Sequence, residues 1–457
     1  MNTLIALSGL GIFCLVAELA NLRRWLVPLV VLGLLGIMTA HFTVWHQMGC
    51  EPQYNQMIVN TPFSMLCSGL FMLLTVFLLW MSADFYADKP SKFSDFIAIK
   101  VFMLTGAVAM VSFGNLAMFF LGVEVLSICL YILGASDRLN ILSNESGMKY
   151  FLMGSFASGI MLFGIGLIYG ATGFFDLAEI NEMSQGAGLN IWYPIGLTLM
   201  LIGMLFKIAA VPFHFWAPDV YEGAPTLITA TMSTLAKVAA VATLFKLVVS
   251  LNALSFTHVS FLFILMTALS MTVGNIMALR QTNVKRMLAF SGISHAGFML
   301  LAILLGIKGS ASLVYYMAAY ALAGMAAFAM LIAVTKNAQN QDVSQFNGLA
   351  KTHPLQAVIM TGSLMSMAGI PIFAGFFAKF FLFQQVFAQG HRMIVLVGVI
   401  NSIISMGYYF KIIQAMFTQQ PVSSRTSAKW YVLCGALALL LNVLLGLFPQ
   451  YLSSWLS

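Results

Sequence analysis

Apolar runs long enough to cross a bilayer recur along the whole chain, separated by short stretches rich in Pro, Gly, Asn and charge. The runs occupy residues 4–20, 25–40, 62–81, 96–113, 116–133, 150–169, 193–211, 227–249, 261–279, 287–305, 313–334, 357–386, 394–417 and 430–447. A helix needs about 20 apolar residues to cross a hydrocarbon core about 30 Å thick. Backbone groups in lipid must be hydrogen-bonded within their own segment, which leaves helices as the reading for runs of this length. The pattern predicts an all-α integral membrane protein with about 14 transmembrane helices, numbered here helix 1 to helix 14. Boundaries fall at polar clusters such as 84–95 and 336–354, and no soluble domain has room to exist between them.

Two of the runs carry their own interruptions. Helix 7 reads GMLFKIAAVPFHFWAPDVYEGAPT over residues 203–226. Pro212 cannot donate to the carbonyl of Ile208 and its ring pushes that carbonyl away, so a break is expected beside Lys207. Helix 12 would be about 45 Å long if residues 357–386 were continuous, and Gly369 and Pro371 are expected to break it just before Lys379. Each half of the chain thus holds one Pro-associated break next to a lysine, in reversed order. Such a pattern points to inverted repeats, here helices 4–8 (96–250) and helices 9–13 (260–418), with helices 1–3 (1–95) before them and helix 14 (429–457) after.

Charge inside the apolar runs changes the picture from architecture to chemistry. Glu124, Lys207, Lys237 and Lys379 lie well within predicted helices. A charge at the bilayer centre costs at least about 2.5–3.5 kcal/mol by insertion scales. Structural ion pairs would be the plain explanation, yet three lysines outnumber one carboxylate, which points to proton handling instead. Lys237 has Thr229, Thr231, Ser233 and Thr234 beside it, residues that let helices approach and hold water. Ser291, Ser294 and His295 form a similar patch on helix 10. His214, two turns after Lys207, and His295 are candidates for the proton path; the plain alternative for each is a histidine bonded to neighbouring backbone or packing groups. Glu18, Lys100, Lys246 and Lys411 lie nearer helix ends, where snorkelling to the interface is the expected behaviour.

Composition agrees with the membrane class: 61% of the 457 residues are hydrophobic and 8% charged, against about 25% charged in soluble proteins. The net charge of +7 is dispersed, with no basic run to read as a nucleic-acid site. The five cysteines, Cys14, Cys50, Cys67, Cys129 and Cys434, are scattered without a CxxC, and no Gly-rich nucleotide loop follows a strand. No redox cofactor or metal is expected in this chain. The first apolar run lacks a charged leader and an A-x-A site, so it reads as a retained helix. Loops after odd-numbered helices hold Arg23, Arg24, Lys89, Lys92, Arg138, Lys149, Arg280, Lys285, Arg286, Lys336, Lys351, Arg425 and Lys429. Those after even-numbered helices hold Lys308 and Arg392. The positive-inside rule therefore places both termini on the outer face.

The segments FLGVEVLSICLY (120–131), LIGMLFKIAAVPFHFWAPDVYEGAPT (201–226), LRQTNVKRMLAFSGISHAGF (279–298) and SMAGIPIFAGFFAKF (366–380) resemble those of a known family. It is the antiporter-like membrane subunits of proton-pumping NADH:quinone oxidoreductase, respiratory complex I, and within it the N-type members. The resemblance covers essentially the whole chain, and the PFHFWAPDVYEGAP stretch is highly specific. It implies a 14-helix fold with two inverted five-helix repeats, each holding a broken helix. It also implies a carboxylate on helix 5, lysines on helices 7 and 8 and an ionisable residue on helix 12, the places of Glu124, Lys207, Lys237 and Lys379. L-type members are longer and carry a lateral helix, and M-type members usually have Glu where this chain has Lys379. The implied setting is a bacterial plasma membrane, with subunits M, J and K and the lateral helix of subunit L as neighbours. NADH, FMN, iron–sulfur clusters and quinone would be bound in other subunits. A cation/proton antiporter subunit or a membrane hydrogenase subunit of the same family is the alternative.

Overall fold

The computed structural model describes residues 3–20, 22–48, 52–87, 92–185, 190–336, 338, 340–421 and 428–450. Cys50, Lys89, Arg425 and the residues from 451 onward lie outside the described residues. Among the described residues, eleven helices are long and apolar enough to cross a membrane, and three shorter apolar ones are Thr3–Leu19, Trp192–Lys207 and Ala374–Ala388. They fall one to each expected run.

In chain order the helices are α1 (Thr3–Leu19), α2 (Arg23–Met48), α3 (Pro62–Phe85), α4 (Phe93–Ser112), α5 (Leu116–Gly134), α6 (Ile141–Thr172) and α7 (Leu177–Gln185). Then come α8 (Trp192–Lys207), α9 (Trp216–Gly223), α10 (Thr226–Thr231), α11 (Lys237–Ser250), α12 (Thr257–Leu279) and α13 (Val284–Leu304). The chain continues with α14 (Ser310–Thr335), α15 (Leu349–Thr352), α16 (Pro354–Ala368), α17 (Ala374–Ala388), α18 (Arg392–Thr418) and α19 (Lys429–Leu447). Predicted helix 7 is α8 plus α9, and predicted helix 12 is α16 plus α17. Predicted helix 8 is α10 and α11 joined by a π-helical stretch, Met232–Ala236.

Local chemistry explains the ends. Thr61 and Ser64 form a reciprocal capping box at the start of α3. Asn115 accepts the Met118 amide at 2.8 Å to open α5, and Asn283 accepts the Arg286 amide at 3.2 Å to open α13. The α8 helix stops at Lys207, earlier than the apolar run, which continues to 211. Beyond it Ala209 takes a left-handed φ of 58°, unusual for a residue with a Cβ. The amide of Val211, left without a helical acceptor, donates to Ser270 Oγ at 2.9 Å. α16 ends on Gly369 at φ 88°, where glycine avoids the steric cost. Hydropathy alone did not predict the nine-residue α7, whose Leu177 and Ile180 turn inward at helical spacing.

The chain divides into two compact units. The first comprises 1–136, 147–208 and 235–262. Here α4 and α5 meet backbone to backbone: a Cβ on Gly106 would lie 2.6 Å from the Leu126 amide nitrogen, and one on Gly122 2.5 Å from that of Met110. Lys100 and Lys246 correct the snorkelling expectation. Lys100 is fully buried and donates to Ser82 Oγ at 2.5 Å. Lys246 is also buried and donates to the Val59 and Val111 carbonyls, both at 3.0 Å. Their place along a helix gave depth but not the face they occupy. Glu18 pairs with Arg23 and accepts from Ser94.

The second unit comprises 137–146, 209–234 and 263–457. Its α14 is buried along nearly its whole length. Arg286, at the start of α13, holds Asp219 at 2.7 Å and Glu222 at 2.9 Å, both on α9. Lys285 is buried and donates to the Ala224 carbonyl at 2.8 Å. Two buried asparagines join α12 to α18: Asn275 donates to Asn401 Oδ1 at 3.2 Å, and Asn401 donates to Thr272 at 3.1 Å.

The glycine contact between α4 and α5 gives a direct test. Gly122→Val forces a side chain into backbone and is expected to cost about 1–3 kcal/mol by overpacking. Gly159 on α6 has no atom within 4 Å of a built Cβ, so Gly159→Ala is expected to be neutral or slightly stabilising. Thermal unfolding in detergent should separate the two variants; equal midpoints would contradict the contact.

Candidate functional site

In the first unit the charged groups gather around α5. Glu124, Ser127 and Tyr131 recur at spacings of three and four and so share one face of that helix. Glu124 is half-buried and accepts a hydrogen bond from Ser158 Oγ on α6 at 2.5 Å. Lys207, the last residue of α8, donates to Ser127 Oγ. Its ammonium also lies 5.6 Å from the ring centre of Tyr131 and 5.8 Å from that of Tyr150, within cation–π range. A cation at a helix C-terminus is favoured by the free carbonyls there. Glu124 therefore ends on Ser158 of α6, and Lys207 ends on Ser127, one helical turn from Glu124 on α5.

Lys237 opens α11 directly after the π-helical stretch and is 3% exposed. A π segment is a single widened turn that interrupts the regular ladder and often marks a functional position. Three of the four hydroxyls in the turns before it donate to backbone carbonyls. Thr231 donates to the Leu227 carbonyl at 2.9 Å, Thr234 to Ala230 at 2.7 Å and Thr229 to Tyr221 at 2.8 Å. Ser233 alone of the four points to a side chain, the Tyr320 hydroxyl at 3.3 Å.

In the second unit Lys379 sits on α17 and reaches back over the break. Its ammonium donates to the carbonyls of Met367 at 3.1 Å and Ala368 at 2.9 Å, the last two residues of α16. A third bond goes to Ser402 Oγ at 3.0 Å, and the Phe298 ring lies 5.0 Å away. The αL turn at Gly369 leaves room for this reach, since a Cβ there would come 3.1 Å from Lys379 Cδ.

His295 is held at both ring nitrogens: Nδ1 pairs with the Tyr316 hydroxyl at 2.8 Å and Nε2 with the Tyr409 hydroxyl at 3.2 Å. Tyr409 continues to Ser291 at 2.5 Å, and the neighbouring Tyr408 donates to Asn275 at 3.1 Å. A small cavity beside this histidine is lined by Tyr316, Tyr320, Ser366, Met367 and Ala378. His214 is buried, pairs with the Pro212 carbonyl at 3.3 Å and packs on Phe215, which is the backbone-bonded arrangement.

The structure thus brings Glu124 and Lys207 to one helix face, and His295 to the same cavity wall as the carbonyl segment that binds Lys379. The serines and tyrosines that hold these charges, Ser127, Ser158, Ser402, Tyr316 and Tyr409, carry no signal in hydropathy and are not among the residues that the sequence singles out. Their spacing offers one clue: Ser127 lies three residues from Glu124, so any helix places them together. Among the described residues no group of three or more His, Cys, Asp or Glu side chains could hold a metal ion. Cys14, Cys67, Cys129 and Cys434 are buried and free.

A family model described as "NADH:quinone oxidoreductase/Mrp antiporter, TM" matches residues 113–405. A protein named NADH-quinone oxidoreductase subunit N from Flavobacterium johnsoniae is 60% identical, over 98% of each chain. Its namesake from Flavobacterium psychrophilum is 56% identical, over 98% of this chain and 99% of that one. Among solved structures, a chain of respiratory complex I from Thermus thermophilus superposes with a TM-score of 0.85 at 27% identity, covering 100% of this chain and 99% of that one. With broken helices 7 and 12 in place, 60% identity over 98% of each chain and a family match across residues 113–405, the chain belongs to the subunit N family of NADH-quinone oxidoreductases.

Proposed function

We propose that this chain translocates protons in the membrane arm of a bacterial NADH-quinone oxidoreductase, with Glu124, Lys207, Lys237 and Lys379 carrying or gating the proton. In this reading the enzyme is a translocase whose NADH, FMN, iron–sulfur clusters and quinone are bound by other subunits. Its neighbours are subunits M, J and K and the lateral helix of subunit L. Helices 4–8 and 9–13 are inverted repeats, each with its own break, and both termini face outward.

One observation carries the reading: Lys207 and Lys379 are held by hydroxyls and carbonyls, not by carboxylates. A hydroxyl or carbonyl partner binds an amine in either protonation state, whereas a fixed carboxylate would lock the ammonium in place. The attraction available when Glu124 and Lys207 do meet is about 4 kcal/mol at about 4 Å and an effective dielectric of about 20. Moving a charge through about 100 mV takes about 2.3 kcal/mol. Making and breaking this pair is therefore on the scale of loading and releasing a proton. Ser127 and Ser158 supply the resting partners from which each charge departs. His295, held between two tyrosine hydroxyls, is a relay of the second unit; the bonding of His214 favours a role in holding the loop.

Replacing either lysine removes a proton carrier. Lys207→Ala and Lys237→Ala are each expected to assemble and to lower NADH-driven proton uptake by about tenfold or more, equivalent to about 1.4 kcal/mol of barrier. Uptake at the wild-type rate in an assembled variant would sink the assignment. Glu124→Gln keeps the bond to Ser158 but not the charge, so it is expected to assemble and to lose most pumping-coupled turnover. Glu124→Asp should retain more than Glu124→Gln. A Glu124→Gln complex whose sole defect is failure to assemble would mark the residue as structural.

Orientation has its own test. Lys285 is too buried to serve as a labelling site, whereas Arg280 and Arg392 are exposed. With outward termini, Arg280→Cys should react with an impermeant thiol reagent from the cytoplasmic face and Arg392→Cys from the outer face. The opposite pattern would overturn the topology.

A further inference from the structure

Helix α19 lies outside both five-helix blocks, and its flank is greasy, with Leu440 and Leu444 exposed at 53% and 43%. On the opposite face stands Asn442, with 0% exposure. A buried amide must be fully bonded to be tolerated. Asn442 Nδ2 donates to the Ala319 carbonyl of α14 at 2.9 Å. Asn442 Oδ1 accepts from Ser366 Oγ at 2.9 Å. Ser366 in turn accepts the Gly375 amide at 3.3 Å, which ties the end of α16 to the second residue of α17 across the break.

The backbones meet at the same place. One turn beyond Asn442, a Cβ on Gly446 would lie 2.4 Å from the Ile372 carbonyl oxygen and 2.8 Å from the Ala374 amide nitrogen. A Cβ on Gly375 would fall 1.8 Å from the Ser366 carbonyl oxygen. The two halves of the broken helix and α19 are thus in contact without side chains between them. The carbonyls that follow Ser366, those of Met367 and Ala368, are the ones that Lys379 binds from α17. Whatever sets the register of α17 against α16 also sets the partners of Lys379. Ser366 and Met367 line the cavity beside His295 as well.

We propose that α19 is a positioning element for Lys379: Asn442, through Ser366, fixes the register of the two half-helices and so determines which carbonyls receive the Lys379 ammonium. The inference rests on the proton-carrying role proposed above for Lys379. Asn442 touches neither Lys379 nor the proton; it acts through Ser366 and the break.

The test uses the whole complex in inverted membrane vesicles and reads protons taken up per NADH oxidised, with assembly followed on native gels. Asn442→Leu keeps approximate size and removes both bonds, Ser366→Ala removes the hydroxyl, and Ser366→Thr keeps it. Asn442→Leu and Ser366→Ala are each expected to lower the ratio by about three- to tenfold, the range of one lost buried hydrogen bond. The double variant should lose no more than the worse single one, because both changes break the same link. Ser366→Thr should restore the ratio. If Asn442→Leu does not assemble, the two Ser366 variants decide the matter. A wild-type ratio in Ser366→Ala, additive losses in the double variant, or failure of Ser366→Ala to assemble would each overturn the inference. Lys379→Ala is measured alongside. Loss of pumping there, with a wild-type ratio in Ser366→Ala, would remove the positioning role and leave the proposed function standing. Wild-type pumping in Lys379→Ala would remove the reading on which both rest.

Discussion

A lysine at membrane depth and a broken helix at membrane depth are each costly alone, and in this fold they compensate each other. The ammonium needs acceptors that water does not supply, and a helix end leaves carbonyls without donors. Lys379 answers the Met367 and Ala368 carbonyls at the end of α16. Lys246 answers Val59 and Val111, Lys285 answers Ala224, and Lys411 answers Gln281. Lys100 and Lys207 take serine hydroxyls instead. Arginine is used differently: Arg286 takes Asp219 and Glu222, and Arg23 takes Glu18. A guanidinium does not give up its proton in proteins, so an arginine ion pair is a permanent fastening. An amine on a neutral acceptor keeps both protonation states within reach.

This division also shows how much was legible beforehand. The apolar runs yielded the helices because lipid permits no other backbone arrangement over such lengths. Pro212, Gly369 and Pro371 yielded the breaks because each acts through its own backbone geometry, independent of what surrounds it. Glu124, Lys207, Lys237 and Lys379 could be singled out because insertion cost depends on depth, which sequence position approximates. What packs against a helix is another matter. Lys100 and Lys246 were assigned to the interface because they lie towards helix ends, yet both are buried, one on a serine and one on two carbonyls. The partners that decide this come from 18 to 187 residues away along the chain. Tyr316 and Tyr409, whose hydroxyls pair with His295, likewise come from distant parts of the chain and have no marker in hydropathy. The π-helical turn before Lys237 has no marker in composition, since Met232–Ala236 contains neither Pro nor Gly.

The two breaks, although both lie beside a lysine, are not mechanically equivalent. Lys207 terminates its own half-helix, and its partner Ser127 belongs to a different helix, α5. A movement of α8 against α5 therefore changes what Lys207 touches, and one turn along α5 stands Glu124. Lys379 belongs to the half-helix after its break and binds the half before it. Its contacts change only if α16 and α17 shift against each other, which the bond from Ser366 to the Gly375 amide opposes. The first arrangement suits a charge that must travel between a hydroxyl and a carboxylate. The second suits a charge whose surroundings alter when a tied joint is strained. In the proposed reading the first contact allows a discrete exchange of partners, whereas the second keeps Lys379 on its two carbonyls for as long as the register of α16 and α17 is held.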